Sequence, residues 1–257
     1  MTVRWLPLAA LILAQITYPL VGGSTRAGLV GLTVLLGFAA SVSHAVTTRG
    51  ARAAAALIAV TAGGGLLVEA VGVGTGFPFG SYAYSAALGP RLLGVPVVIP
   101  LAWTWMAWPA WVAAGHLVAR PAARVGVAAV GLASWDLFLD PQMVAAGYWH
   151  WSTVDIPWGN YVGWLAVATV MMALLLAAIG PGRRAVAADG PALALYLWTY
   201  AASVLAHAVF LGLPRSALVG GVGMGLVALP LAIGLARPRP GDAPAGRRPA
   251  THQTADR

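Results

Sequence analysis

Cysteine is missing altogether from these 257 residues, which excludes disulfides, thiolate zinc sites and iron–sulfur clusters. Lysine is missing too, so all fifteen positive charges are arginines. Charge of either sign is scarce: 9% of the residues are charged, against about a quarter in a soluble domain. No glycine-rich phosphate loop follows a strand, and neither HExxH nor a nucleophile elbow is present, so phosphate-loop, zinc-protease and α/β-hydrolase chemistry have no footing. The net charge of +8 does not point to nucleic acid, because arginines flanking apolar runs are what orientation in a membrane requires. No nucleic-acid partner is expected.

What the chain has in abundance is hydrocarbon. Sixty percent of it is hydrophobic and its mean hydropathy is +0.81. Apolar runs of the roughly 17–25 residues needed to cross a membrane recur along it, at about 5–21, 28–46, 53–72, 93–118, 124–140, 161–179, 192–212 and 216–236. The expected fold is all-α, a polytopic transmembrane bundle of about eight spans, with seven as the alternative count. Residues 1–236 form its single domain, with the first run kept as an anchor and not a cleaved signal. Residues 237–257, rich in Pro, Gly and Arg, form a basic tail that is expected to be disordered. Arg4, Arg49, Arg52, Arg120, Arg124, Arg183, Arg184 and the tail arginines fall on one side of this plan, and only Arg26, Arg91 and Arg215 on the other. The positive-inside rule then places both termini in the cytoplasm of a multi-pass bacterial membrane protein.

Three of the seven acids lie in or at the edge of apolar runs, where an ionised carboxylate needs a partner, a proton or a cavity. Glu69 is near the outer end of the third run, Asp136 and Asp140 at the outer end of the fifth, and His207 falls at similar depth. Asp136 and Asp140 are four apart, so on a helix they share a face about 5–6 Å from each other. Two carboxylates that close do not both ionise readily, and one of the pair is expected to hold a proton. The alternative is structural: Asp140, beside Pro141, caps the helix end, and Asp136 or Glu69 makes a packing hydrogen bond.

Two extracytoplasmic loops follow these acids directly, 73–92 and 141–160, and both are crowded with aromatics and glycine. Gly76 to Tyr84 lacks helical period. Trp103, Trp105, Trp108 and Trp111 continue into the apolar part of the fourth run, where they either pack against neighbours or line a groove for a long apolar ligand or a cation. Trp5, Trp164 and Trp198 read as membrane-interface anchors. His150 reads as an interfacial residue, His44 and His116 stand apart from the acid layer, and no metal site is expected. Glycines at 63–65 and 220–225 read as close helix packing.

The blocks GFPFGSYAY, LGVPVVIPLAW, WDLFLDPQMVAAGYWHW and IPWGNYVGW, in this order over residues 69–165, resemble the membrane carotenoid-biosynthesis hydratases, the family of bacterial γ-carotene hydratases and haloarchaeal bisanhydrobacterioruberin hydratases. One departure is Ser152-Thr153-Val154-Asp155, where the family pattern has a glycine and aromatics before Ile156-Pro157. The resemblance implies cofactor-free addition of water to the terminal C=C of an acyclic carotenoid, giving a tertiary alcohol. For that reaction Asp136 is expected to be the proton donor and Asp140 or Glu69 the group that orients water. Tyr82, Tyr84, Trp103, Trp149, Asn160 and His207 would then bind the substrate. The partners are a long apolar carotenoid, the bilayer and other carotenoid enzymes. Ring closure from the same cation, a lipid or proton transporter, and a non-catalytic membrane subunit are the competing readings.

Overall fold

The structure, a computed structural model, describes residues 5–181 and 188–237. Arg4, Arg183, Arg184 and the expected basic tail beyond Arg237 lie outside the described residues. Helices dominate: α1 (Leu6–Thr17), α2 (Gly23–Arg49), α3 (Ala51–Thr75), α4 (Val98–Leu117), α5 (Pro121–Ala133), α6 (Asp136–Ala145), α7 (Trp158–Ile179), α8 (Gly190–Phe210) and α9 (Pro214–Ala236). Six segments are long and apolar enough to cross a membrane among the described residues: α2, α3, the α5–α6 pair taken together, α7, α8 and α9. The chain is a multi-pass membrane protein.

The two remaining expected spans differ from these six. The first run forms only the shorter apolar helix Leu6–Leu20. The fourth forms α4, buried without interruption from Ala102 to Gly115. Such all-round burial marks a central helix, enclosed by other helices instead of facing lipid. Around it stand α2, α3, α5, α8 and α9. Gly37 gives α2 its close approach, since a Cβ there would sit 2.3 Å from the ring of Trp105. Helices in lipid associate by such packing and by polar contacts. Ser41 Oγ accordingly donates to the Trp105 carbonyl at 2.7 Å, and the hydroxyls of Thr61 and Thr104 meet at 2.8 Å.

The fifth run is broken where no glycine or proline announces it. Ser134 and Trp135 make a turn between α5 and α6, and α6 then runs through Pro141 to Ala145. Asp140 is therefore in the middle of α6 and does not cap a helix end. At the same end of the bundle, the two aromatic loops are not irregular throughout. Strand β1 (Tyr82–Tyr84), the hairpin of β2 (Arg91–Leu92) with β3 (Val95–Pro96), and strand β4 (Trp149–Trp151) form two small sheets. The turn and second strand of the β2–β3 hairpin occupy residues expected to start the fourth span, whose helix begins at Val98.

Candidate active site

Helix α3 ends on Gly76 at φ +76°, a left-handed conformation that glycine adopts without strain. The chain then turns back, with Gly80 N–H donating to Gly76 O at 2.6 Å, and places Phe79 fully buried against Trp164 at a ring separation of 4.3 Å. Strand β1 pairs antiparallel with β4 in the register Tyr82–Trp151, Ala83–His150, Tyr84–Trp149. Because side chains alternate along a strand, Tyr82, Tyr84, Trp149 and Trp151 share the face turned into the bundle, and His150 is exposed. The odd segment after the third span is thus half of a ribbon that carries aromatics into the bundle mouth.

Both phenols of β1 end on one acid. Tyr82 and Tyr84 each donate to Glu69 Oε2 at 2.6 Å. Burial, reinforced by the neighbouring Glu69, raises both phenols well above the ordinary tyrosine range, so both remain donors. Gly72, one turn from Glu69, makes room for them: a Cβ there would lie 2.8 Å from the Tyr82 hydroxyl and from the Phe79 ring.

Asp140 receives two donors as well, Trp149 Nε1–H at 3.2 Å and Asn160 Nδ2–H at 2.5 Å. The same Asn160 nitrogen is 3.5 Å from Asp136 Oδ2, so the two aspartates lie within about 6 Å of each other across it. The Asp136 and Asp140 carboxyls also meet each other in a side-chain hydrogen bond, which requires that one of the two carry a proton. Asp136 is the most accessible of the three acids, at 9% against 3% for Asp140 and 1% for Glu69. All three line one cavity of about 60 Å³, walled by Tyr82, Tyr84, Trp103, Trp149, Trp151 and Trp164, with Trp135 beside Asp136. No ion pair reaches these acids among the described residues, where the salt bridges join Asp189 to Arg49 and His116.

The structure therefore brings together Glu69, Asp136, Asp140, Tyr82, Tyr84, Trp103, Trp149 and Asn160. It does not bring His207, whose Nε2 meets Gln142 Oε1 at 3.1 Å and whose ring packs on Phe138, outside the acid cavity. Trp164 is not an interface anchor but is stacked between Trp103 (4.1 Å) and Phe79. Trp135, Trp151 and Trp164 are wall residues that sequence reasoning passed over. Trp135 directly precedes Asp136, and Trp151 is two from Trp149, the strand period that would have found it.

A second polar cluster lies elsewhere. His116 Nε2 is 2.9 Å from Asp189 Oδ2 and Arg49 Nη2 is 3.8 Å from Oδ1. Burial pushes Asp189 up, but the His116 hydrogen bond and the Arg49 charge prevail and hold its carboxyl below the ordinary range. His44 accepts the Trp108 indole N–H at Nδ1 (2.8 Å), which leaves Nε2 to donate to the Ala188 carbonyl. These residues tie α2, α4 and the start of α8 together and take no part in the acid cavity.

A bisanhydrobacterioruberin hydratase of Haloarcula japonica is 36% identical over 115 residues, 42% of this chain and 39% of that protein. The chain thus matches about two fifths of that relative's length. No solved structure matches it. The profile of the family described as "Carotenoid biosynthesis protein" covers residues 29–235, most of the chain and all of the acid cavity, and the chain belongs to that family.

Proposed function

We propose that the protein is a carotenoid hydratase that adds water to the terminal C=C of an acyclic carotenoid end group and releases a tertiary alcohol. One observation carries the reading. Asp136 and Asp140 meet as a hydrogen-bonded carboxyl pair beside the donor-clamped Glu69; Asp140 also takes Asn160 and Trp149, Asp136 is the more open to the cavity, and no cation offsets the three among the described residues. A carboxyl with few donors is the one that keeps its proton. A site built of carboxyl oxygens and aromatic faces favours transient positive charge.

In the reaction, the alkene π pair takes the Asp136 proton, forming a C–H bond at the less substituted carbon and leaving a tertiary cation at its neighbour. Trp103, Tyr82 and Tyr84 present ring faces to that cation. A water oxygen then bonds to it, and the resulting oxonium returns a proton to Asp136, so the acid is restored and the net change is alkene plus water. Asp140, held by Asn160 and Trp149, orients the water. The reacting end group enters the cavity, and the rest of the polyene stays in the bilayer or between helices. The haloarchaeal relative's name favours water capture over ring closure. Arg49, Arg52, Arg120 and Arg124 lie at the end away from the acids, and the positive-inside rule supports a site on the extracytoplasmic side of a bacterial cell membrane with both termini inside.

Expression in a host that makes lycopene or a C50 precursor tests the reading. The expected products are heavier by one or two waters. Asp136→Asn should insert normally and make almost none, because an amide does not protonate an alkene. Normal turnover by that variant would assign Asp136 to structure.

A further inference from the structure

A second chamber of about 120 Å³ lies against the acid cavity. The partition is one side chain thick: Ile99, Ala102, Trp135, Leu139 and Trp149 face both spaces. Trp149 links them chemically, since its indole N–H donates to Asp140 while its side chain walls the second chamber.

The chamber is not uniformly apolar. Gln15 of α1, Thr33 of α2, Gln142 of α6 and Ser203 of α8 line it. An indole N–H only donates, so the Gln15 atom that Trp198 Nε1 meets at 2.7 Å is the carbonyl oxygen. The Gln142 atom facing His207 Nε2, at 3.1 Å, is Oε1. Each glutamine is left with an NH₂ group that has no protein acceptor among the described residues. Thr33 Oγ1 donates to the Val30 carbonyl at 2.9 Å and keeps its lone pairs. Donors and acceptors from four helices thus meet around one space inside a membrane protein. A polyene satisfies none of them, whereas water satisfies both kinds. A bound water needs roughly 10–15 Å³ and two to four polar partners, so the chamber has room for several.

We propose that this chamber holds the co-substrate water and passes it across the Trp149 partition to the cation formed beside Asp136. The inference rests on the hydratase reading above. Water capture forms the C–O bond, and the oxonium proton goes to the Asp136 carboxylate. If water is late, the same cation gives a C–H proton to that carboxylate and reverts to an alkene. The two fates share every step but the last, so their ratio reports water supply.

The test gives membranes carrying the full chain an acyclic carotenoid, lycopene, in deuterated water. It reads deuterium in the recovered alkene against alcohol formed. The native protein should give mostly alcohol with little exchange. Ser203→Leu, which fills the chamber, and Thr33→Val, which keeps its shape but removes a hydroxyl, should raise the exchange-to-alcohol ratio severalfold while total protonation is retained. An unchanged ratio in both variants would overturn the inference. So would a loss confined to carotenoid affinity, which would make the chamber a polyene channel. Neither exchange nor alcohol from the native protein would refute the hydratase reading itself, and the inference with it.

Discussion

Glu69 is the acid whose charge is most open to measurement, because two phenols 2.6 Å away converge on one of its oxygens. Tyr82→Phe or Tyr84→Phe removes a single oxygen and leaves the ring in the wall. If Glu69 is ionised, each deleted bond is charge-assisted and worth about 1.5–3 kcal/mol, whereas a bond to a neutral acceptor is worth about 0.5–1.5 kcal/mol. The size of the loss therefore reads the charge. The assay is a double-mutant cycle on protein purified in detergent, unfolded by denaturant and followed by tryptophan fluorescence. In the native background each Tyr→Phe change should cost about 2 kcal/mol, and in the Glu69→Gln background about 1 kcal/mol or less, since the amide carries no charge. Equal losses in the two backgrounds would mean that the hydroxyls act without a carboxylate, and an ionised Glu69 in the cavity would be refuted.

Gly72→Ala drives a methyl into Tyr82 and Phe79 and should destabilise the protein by about 1–3 kcal/mol. Gly74→Ala, two residues on in the same helix with nothing within 4 Å of the added methyl, should instead be neutral or stabilising by up to about 1 kcal/mol, and paired unfolding curves compare the two. Asp189 has a folded value below its unfolded one, so its stabilisation is complete above the ordinary carboxylate value of about 3.9 and is lost as pH falls through the lower folded value. Asp189→Asn should remove that acid limb from a stability-against-pH curve and lower the neutral plateau. Reporter fusions after Arg49 and Arg120 should report cytoplasm and fusions at Ser85 and Thr153 the outside, and a reversed pattern would move the acids to the inner side.

The acid layer was legible because burying an ionisable group in hydrocarbon is costly enough that Glu69, Asp136 and Asp140 stand out in any apolar run. Their helical spacing then implied a shared face. The ribbon was harder to see. Tyr-Ala-Tyr and Trp-His-Trp each show a strand's alternation, but three residues are too few to separate it from chance, and the partner that makes each a strand lies more than sixty residues away. The break at Ser134–Trp135 carries no glycine or proline, while Pro141, which looked like a helix end, is carried inside α6. Trp164 looked like an interface anchor because sequence gives depth and not facing, and only packing against Trp103 and Phe79 turned it inward. His207 shared the depth of the acids but points to Gln142, the same ambiguity resolved the other way.

The central claim is that the new hydroxyl comes from solvent after proton transfer from a buried acid. The most direct measurement gives membranes containing the full chain an acyclic carotenoid in heavy-oxygen water, without air and without added nucleotide, and weighs the alcohol. The account predicts one heavy oxygen per hydrated end, and none formed by Asp136→Asn. Oxygen arriving from dioxygen, or an absolute need for a reductant, would contradict it and make the protein a hydroxylase.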